Sequence, residues 1–345
     1  MTIQNLIRPS IKALKPYSSA RDEFKGGTEN LIFLDANENP FENGVNRYPD
    51  PKQGKLKALI SQIKDVPTEH ILLGNGSDEV LDLLIRMFCE PNKDNILILP
   101  PTYGMYEVLA NVNAVETIKI NLSEETFQPK TAAVLAAANA NSKLLFLCSP
   151  NNPSGNSFEA SSIEFLLKNF KGIVIIDEAY IDFSKEESWL SRLSEFPNLV
   201  VTQTLSKAFG MAGIRLGMCF ASEEIIATLN KIKPPYNINE LTQAKAIEGL
   251  SEMALINLQI ACLLDEREDL IKALEEVYFI KKVYPSDANF VMVKVDDANK
   301  RYQQLIENGI VIRNRTTQPL CENCLRLTVG TKEENQRLVE NFKRL

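Results

Sequence analysis

The chain has 345 residues, of which 44% are hydrophobic and 24% charged, and its formal net charge is −7. This length exceeds one ordinary hydrophobic core and predicts about two domains. No apolar run approaches the roughly 18 residues that cross a bilayer, and acidic and basic residues are interleaved without a basic stripe, so neither a membrane protein nor a nucleic-acid-binding protein is expected.

The N-terminal residues 1–17 contain neither a continuous apolar segment nor a small-residue cleavage site, so a cytoplasmic location is expected. The cysteines are scattered through apolar segments, where a free thiol behaves as a small hydrophobic group. The pair Cys321 and Cys324 has no histidine near it, because the single histidine is His70. A disulfide framework, a metal site and histidine-based catalysis are therefore not predicted.

Apolar, strand-like segments alternate with helical patterns between residues 71 and 206. The segments predicted to contain strands are ILLG, NILILP, VETIKI, KLLFLCSP, GIVIIDEAY and LVVTQTLS. Residues 173–176 are apolar on both faces, which is typical of a strand covered by helices on both sides of a mostly parallel sheet. This part of the chain is predicted to be an α/β domain.

The alternation fades after about residue 235. A long helical stretch, 240–276, leads to the strand-like segments NFVMVKV, GIVIRNR and CLRLTVG around the helical segment DANKRYQQLIENG. We therefore predict a large α/β domain over residues 31–235. Residues 236–345 are predicted to form a smaller α+β domain, together with an N-terminal arm of residues 1–30.

The segment GNGSDEVLDLLI follows the first predicted strand. Gly74 and Gly76 permit an unusual backbone, and Ser77 or Asp78 is predicted to cap a helix that runs onward from Asp78. Free backbone N–H groups at a helix N-terminus can bind phosphate. An ordinary capped helix after a glycine-rich turn accounts for the same residues, and the third glycine of a dinucleotide-binding fingerprint is absent.

Two further strand ends carry polar residues. SPNNPSG, residues 149–155, places two amide side chains in an irregular turn, although a plain turn explains it equally well. Asp177 ends the apolar segment IVIID, and Tyr180 follows three positions later. A carboxylate there is costly unless a cation or strong donor meets it, and a protonated ring nitrogen is such a partner. Helix capping by Asp177 is the alternative.

Lys207 follows Asp177 by 30 positions, about one crossover between parallel strands. Both side chains are therefore predicted at the ends of neighbouring strands, facing one pocket. An apolar segment precedes Lys207, and a partly desolvated lysine has a lowered pKa that suits imine formation. Arg215 adds a phosphate or carboxylate contact. Together, the phosphate cradle, the acid for a pyridinium nitrogen, the tyrosine and this lysine predict a pyridoxal phosphate site.

The chain also resembles, nearly from end to end, the class II aminotransferase group of fold type I pyridoxal phosphate enzymes. The motifs that carry the resemblance are LIRPSIKALKPY, LDANENP, NRYPDP, GNGSDEVLDLLIRMFCEP, PPTYGMY, SPNNPSG, IDEAYIDF, TLSKAFGMAGIRLG and CLRLTVGT. The resemblance implies an α/β fold with a large domain, in which a mostly parallel seven-stranded sheet lies between helices, and a smaller α+β domain.

The resemblance implies roles for the residues around the cofactor ring. Lys207 would form the imine with pyridoxal 5′-phosphate and shuttle a proton between the substrate and the cofactor. Asp177 would keep the ring nitrogen protonated. Asn152 and Tyr180 would bond to the 3-oxygen of the ring, and Tyr103 would stack on its face.

Further residues are implied at the two anionic ends. The cofactor phosphate would be bound by Gly76, Ser77, Asp78, Thr204, Ser206 and Arg215. Tyr48 is implied to reach this phosphate from a neighbouring subunit, so the resemblance implies a homodimer with composite sites. Arginine forks bind anionic substrates, and the implied substrate-binding residues are Tyr17, Asn152, Arg313 and Arg326.

The resemblance implies an aminotransferase that converts L-histidinol phosphate and 2-oxoglutarate to 3-(imidazol-4-yl)-2-oxopropyl phosphate and glutamate by a ping-pong mechanism, in L-histidine biosynthesis. Another aminotransferase, for aspartate, aromatic or branched amino acids, is the first alternative. A phosphothreonine decarboxylase on the same scaffold is the second. A non-enzymatic regulator that keeps only the shape is the third, and the set Asp177, Tyr180, Lys207 and Arg215 argues against it.

Overall fold

A computed structural model describes residues 2–17 and 32–345 of the chain. The central feature is a seven-stranded sheet in the order β1-β7-β6-β5-β4-β2-β3. Its strands are β1 Ile71–Asn75, β2 Asn95–Ile98, β3 Glu116–Lys119, β4 Ser142–Cys148, β5 Ile173–Asp177, β6 Leu199–Thr204 and β7 Leu216–Ala221. β7 is antiparallel to β1 and β6, and the other pairings are parallel. The predicted mostly parallel sheet of seven strands is confirmed.

Helices cover both faces of this sheet. Those between residues 54 and 232 are Gly54–Lys64, Ser77–Phe88, Met105–Val112, Thr131–Ala137, Ala160–Asn169 and Glu223–Ile232. Alternate residues of the central strands enter two separate cores, with Val174 and Ile176 in one and Ile173 and Ile175 in the other. This two-sided burial is the reason that the sequence of β5 is uniformly apolar.

A second, antiparallel sheet lies in the C-terminal part, in the order β10-β11-β9-β8. Its strands are β8 Ile280–Val283, β9 Phe290–Val295, β10 Arg313–Asn314 and β11 Cys324–Thr328. The helices Ala298–Glu307 and Lys332–Arg344 contribute Leu305 and Phe342 to its core, where both side chains are fully buried. The predicted strands around a helix are present here, and β8 is an addition.

The predicted helical stretch 240–276 is two helices, Glu240–Leu250 and Met253–Glu275, which meet at a bend of 76°. Ala246 and Leu250 of the first helix pack into the core of the large sheet, whereas Leu270 and Leu274 of the second pack into the core of the small sheet. Within the described ranges, no single helix is both long enough and apolar enough to cross a bilayer. Only this bent pair, taken together, reaches that length and apolar composition.

The N-terminal segment packs against the large sheet and its helices. Ile3, Leu6 and Ile7 are buried with residues of β1 and of helix Ser77–Phe88, and the backbone N–H of Arg8 donates to the carbonyl of Met87 over 3.1 Å. We predicted that residues 1–30 belong with the small domain. For Ile3, Leu6 and Ile7 this prediction is corrected, because their side chains pack into a core of the large sheet. The boundary at residues 235 and 236 stays a prediction.

Candidate active site

One cavity opens at the carboxyl ends of β4, β5 and β6, where an open α/β sheet gathers ligand-binding residues. It is lined by Ser77, Asp78, Tyr103, Cys148, Asn152, Asp177, Ala179, Tyr180, Thr204, Ser206, Lys207 and Arg215. Most of the predicted site residues therefore come together in one cavity of a single chain. They come from separate segments, which neighbouring strand ends bring together.

Asp177 lies at the floor of this cavity as the last residue of β5, with 3% of its surface exposed. Its Oδ2 accepts a hydrogen bond of 2.6 Å from the hydroxyl of Tyr106, and its Oδ1 accepts one of 3.2 Å from the backbone N–H of Ala179. Burial raises the pKa of Asp177, against the opposing effect of these donors. A cation at the free lone pairs of this carboxylate would stabilise its ionised form.

Lys207 follows β6, the neighbour of β5 in the sheet, as predicted from its spacing. Its Nζ lies 5.7 Å from the centroid of the Tyr180 ring. The side chain is exposed to the open cavity, yet protein atoms crowd its amine, and this desolvation is the main reason that the pKa of Lys207 is lowered. The positive charges of Arg326 and Arg215 lower it further. A lysine in these surroundings has the reactivity of an amine nucleophile.

A chain of hydrogen bonds connects the large domain to the small sheet across the cavity. Asn152 donates from Nδ2 to the hydroxyl of Tyr180 over 3.3 Å, and its Oδ1 accepts from Nη1 of Arg326 over 2.6 Å. Burial raises the pKa of Tyr180, which is therefore a neutral donor in this state. Arg326 on β11 is thus bonded to a residue that lines the same cavity as Lys207.

The other end of the cavity is built by helix Ser77–Phe88 and the residues that surround its first turn. Gly76 is the N-terminal cap residue with φ +77°, and a Cβ there would lie 2.7 Å from Nη2 of Arg215. A Cβ on Gly217 would lie 2.2 Å from the backbone nitrogen of Ser77, so the two glycines allow the helix start to approach β7 closely. The N–H groups of this turn form an anion cradle.

Polar side chains complete this end. Nη2 of Arg215 lies 3.6 Å from Oδ2 of Asp78, whose Oδ1 accepts from the hydroxyl of Tyr103 over 3.1 Å. The hydroxyl of Thr204 donates to that of Ser206 over 3.0 Å. The prediction that Ser77 or Asp78 caps the helix through its side chain is wrong, because the helix begins at Ser77 after Gly76 and neither side chain makes a cap hydrogen bond there.

Five predicted site residues are not among those that line this cavity within one chain. Gly76 and Arg326 adjoin lining residues, whereas the other three lie farther from it. Tyr17 is 70% exposed and lines a different, lysine-rich cavity with Lys57 and Lys231. Tyr48 is half-exposed and stacks on Tyr236, with the ring centroids 4.6 Å apart. Arg313 is exposed on β10, directly opposite Arg326 in the strand pairing. The roles of these three residues stay predictions.

Sequence reasoning missed Tyr106 and Cys148. Tyr106 is fully buried beneath the cavity and forms the short hydrogen bond to Asp177, while Cys148 is the register partner of Asp177 on β4. The available signal for Tyr106 was its place three positions after Tyr103 in PPTYGMY, at the start of a helix. Cys148 gave no signal beyond its position at the end of an apolar strand.

The cavity therefore combines an anion cradle, a buried acid, a reactive lysine and a guanidinium on the facing sheet. Residues 33–342 match a family described as aminotransferase class I and II. A histidinol-phosphate aminotransferase of Flavobacterium johnsoniae is 63% identical over 99% of this chain and 98% of its own length.

Solved structures agree with these sequence comparisons. A histidinol-phosphate aminotransferase from Clostridium acetobutylicum superposes with a TM-score of 0.80 at 26% identity, covering 87% of this chain and 90% of its own. The enzyme of that name from Sinorhizobium meliloti, solved in complex with pyridoxal 5′-phosphate, has a TM-score of 0.80 at 21% identity, covering 86% of this chain and 82% of its own. That second likeness establishes the shared fold.

Proposed function

Since the chain belongs to the class I and II aminotransferases, we propose that it transfers the amino group of L-histidinol phosphate to 2-oxoglutarate. The products are 3-(imidazol-4-yl)-2-oxopropyl phosphate and glutamate, in L-histidine biosynthesis. The observation that carries the proposal is that Lys207 and Asp177 line one cavity, and that Arg326 of the small sheet is bonded to another residue of its lining.

The residues of the cavity fit pyridoxal 5′-phosphate, the cofactor of this family. When bound, its protonated ring withdraws electrons from the substrate carbon beside the transferred amino group. The cradle at Gly76, kept open by the absence of a Cβ, suits the phosphate. The groups that would hold this phosphate are the backbone N–H groups of Ser77 and Asp78 and the side chains of Thr204, Ser206 and Arg215.

The surroundings of the other predicted site residues in the cavity support a role for each of them. Asp177 holds a proton at the ring nitrogen, because a buried carboxylate is stabilised by a cationic donor. Tyr180 and Asn152 donate hydrogen bonds toward the ring oxygen. Lys207, whose lowered pKa favours the neutral amine, accepts the proton from the substrate carbon at Nζ. Tyr103 covers the ring and limits access of water.

Both substrates are anionic, and the small sheet supplies the positive charge that binds them. Arg326 is the central residue, with Arg313 and Tyr17 as additional contacts. Because one cavity serves both substrates, the proposal includes a ping-pong order in which the first product leaves before 2-oxoglutarate binds. Parallel lines in double-reciprocal plots of a two-substrate experiment are expected, and intersecting lines would contradict this order.

The proposal includes a homodimer in which Tyr48 reaches the phosphate of the neighbouring site. Large apolar side chains that are exposed in the single chain support it, since Leu34, Phe41 and Leu241 are 86%, 80% and 69% exposed. Mixing Tyr48→Ala chains with Lys207→Ala chains tests it. Hybrid dimers are expected to contain one intact site and to regain activity, whereas a lack of recovery despite subunit exchange would contradict composite sites.

A cytoplasmic location is also part of the proposal. All six cysteines are free thiols in the structure, and free thiols are usual in a reducing compartment. Cell fractionation tests this location directly: activity is expected with the cytoplasmic marker enzymes, and recovery with the membrane or the secreted fraction would contradict it.

A panel of amino donors is the decisive test of the substrate. The purified enzyme is incubated with L-histidinol phosphate, phenylalanine, aspartate, leucine or phosphothreonine, and the spectral change of the cofactor in the half-reaction is followed for each. The highest kcat/KM is expected for L-histidinol phosphate. A preference for phenylalanine would contradict L-histidinol phosphate as the amino donor. Release of carbon dioxide from phosphothreonine without amino transfer would contradict the aminotransferase reaction itself.

A further inference from the structure

A cluster of three arginines lies on the hairpin of β10 and β11. Arg313 and Arg326 are directly opposite each other in the strand pairing, and the backbone N–H of Arg315 donates to the carbonyl of Cys324 over 2.9 Å, two positions before Arg326. We refer to Arg313, Arg315 and Arg326 as the arginine cluster. Arg315 was not among the predicted site residues.

Among the residues that the structure describes, the arginine cluster has no acidic counterpart. No carboxylate within residues 2–17 and 32–345 forms an ion pair with any of its three guanidinium groups, and none is among the charges that shift the pKa of Arg315 or Arg326. Elsewhere in the small domain, Arg301 pairs with Asp296 over 2.7 Å. The cluster is thus a concentration of positive charge that no carboxylate of residues 2–17 and 32–345 compensates.

Part of this charge is also removed from water. The Nε atoms of Arg315 and Arg326 are buried and have no hydrogen-bond partner in the described structure. Burial lowers the pKa of Arg326 to about 10, and the charge of Arg315 is the next cause. Burial and then the charge of Arg313 lower the pKa of Arg315. Unpaired, desolvated cations of like sign destabilise this region until an anion binds between them.

Arg315 lies on the same face of the hairpin as Arg326, because Arg313 pairs with Arg326, Arg315 bonds to Cys324, and side chains alternate along each strand. The charge of Arg315 interacts with that of Arg326 and with the phenol of Tyr180, while Arg326 in turn acts on Lys207 and donates to Asn152. Arg215, at the cofactor phosphate cradle, belongs to the opposite end of the cavity. An anion held by Arg315 and Arg326 therefore belongs to the substrate.

We propose that Arg315 is a specificity-determining residue which, together with Arg326, binds the phosphate dianion of the amino donor. A phosphate monoester carries about −1.5 to −2 charges at pH 7, and two guanidinium forks match its oxygens. A monoanionic carboxylate pairs with one guanidinium group and leaves the charge of the second one uncompensated. This inference rests on the proposed function, because it assigns the phosphate of its amino donor to these two residues.

The test compares Arg315→Gln with Arg337→Gln in the holoenzyme at saturating pyridoxal 5′-phosphate. Arg337 is an exposed arginine of helix Lys332–Arg344 whose guanidinium donates to the carbonyl of Asn308, so its replacement makes the same change in net charge away from the cavity. Two quantities are measured: the KM for L-histidinol phosphate, and the inhibition constant of inorganic phosphate against this donor.

In Arg315→Gln we expect both constants to rise about 10-fold, the effect of losing one charge-assisted hydrogen bond, while kcat and the KM for 2-oxoglutarate change less than about twofold. Arg315→Lys keeps the charge but loses the fork, and a rise of about threefold is expected. Arg337→Gln is expected to match the wild type. Circular dichroism and cofactor content show whether each variant is folded.

An inhibition constant of inorganic phosphate that stays within about twofold of the wild-type value in folded Arg315→Gln would overturn the inference, as would a loss confined to 2-oxoglutarate. An equal loss in Arg337→Gln would overturn it as well. If the wild type fails to use L-histidinol phosphate while inorganic phosphate still binds in an Arg315-dependent way, the proposed function fails and the anion site stands. If the wild type uses this donor and Arg315→Gln is unaffected, only the inference fails.

Discussion

The edge of the large sheet and the hairpin of β10 and β11 face the same cavity but are built on opposite principles. At the sheet edge, the site residues Asp177 and Thr204 have partners: Asp177 accepts from Tyr106 and Ala179, and Thr204 bonds to Ser206. On the hairpin, the arginine cluster has no acidic partner among the described residues, and two of its nitrogen atoms are buried without a hydrogen bond.

This difference separates two tasks. Groups that are fixed by hydrogen bonds keep their geometry in the absence of a ligand, which suits an acid that must act at a defined atom. Cations that lack compensation gain the most when an anion binds, which suits substrate recognition. Changes at the sheet edge should therefore reduce kcat, whereas changes on the hairpin should mainly raise KM.

The largest effect is expected when Lys207 is replaced. Lys207→Ala removes the amine that moves the proton, and kcat should fall about 10⁴-fold. The urea midpoint should change little, because the side chain is exposed to the cavity. Measured kcat values and a urea titration of wild type and variant check both statements. Retention of more than about a tenth of the activity in a folded variant would contradict the assignment of Lys207.

Arg326→Gln tests the hairpin side. Loss of its charge-assisted hydrogen bonds should lower kcat/KM for L-histidinol phosphate by about 10- to 100-fold, chiefly through KM. Because the charge of Arg326 lowers the pKa of Lys207, removal of this charge should raise that pKa. The limb of the pH profile that reports the titration of Lys207 should therefore move to higher pH. Full pH profiles of kcat and kcat/KM check this. A shift to lower pH would contradict the contact between the two regions.

Tyr106→Phe tests the sheet edge without touching the cavity surface. The hydrogen bond from Tyr106 opposes the rise in the pKa of Asp177 that burial causes, so its loss should raise this pKa further. Activity that needs the carboxylate should then fall about 10-fold in kcat at neutral pH, and the acidic limb of its pH profile should move to higher pH. An unchanged acidic limb would show that Asp177 does not control it.

Glu178→Gln should have the smallest effect on activity, because Glu178 is buried beside the site and does not line the cavity. Burial raises the pKa of Glu178 to about 7, although Ser188, Trp189 and Gln203 donate to it. In the wild type, its contribution to the unfolding free energy is therefore present below the ordinary pKa of a glutamate and lost, by about 3 kcal/mol, as the pH rises through the raised pKa.

Urea unfolding of wild type and Glu178→Gln at a series of pH values from about 4.5 to about 8 checks this prediction. The difference in unfolding free energy between the two proteins should change by about 3 kcal/mol in favour of the variant as the pH rises. A difference that does not vary with pH would contradict the raised pKa.

The large sheet was predictable because its strands are apolar runs at crossover spacing, and the positions of Asp177 and Lys207 at their ends followed from that pattern. Other features depended on contacts that no local pattern contains. β8 was hidden by its basic residues Lys281 and Lys282. The break of the long helix near residue 251 depends on tertiary packing, since the second helix contacts the core of the large sheet at Ile256 and the core of the small sheet at Leu270 and Leu274.

The partners of the site were the least visible from sequence. Tyr106 looks like any helical core tyrosine until the fold brings its hydroxyl to Asp177 at the end of β5. Arg315 looks like an ordinary surface arginine until the hairpin places it beside Arg326. Arg313 and Arg326 were identified through the family resemblance, because exposed strand arginines are common and carry no signal by themselves.

The central claim is that the amine of Lys207 meets the cofactor at the end of β6, opposite Asp177. The most direct test is to treat the purified, cofactor-loaded enzyme with borohydride, digest it, and locate the modified lysine by peptide mass spectrometry. The account predicts that the reduced pyridoxyl group is on Lys207. Modification of a different lysine, such as Lys57 in the lysine-rich cavity, with Lys207 unmodified, would contradict it.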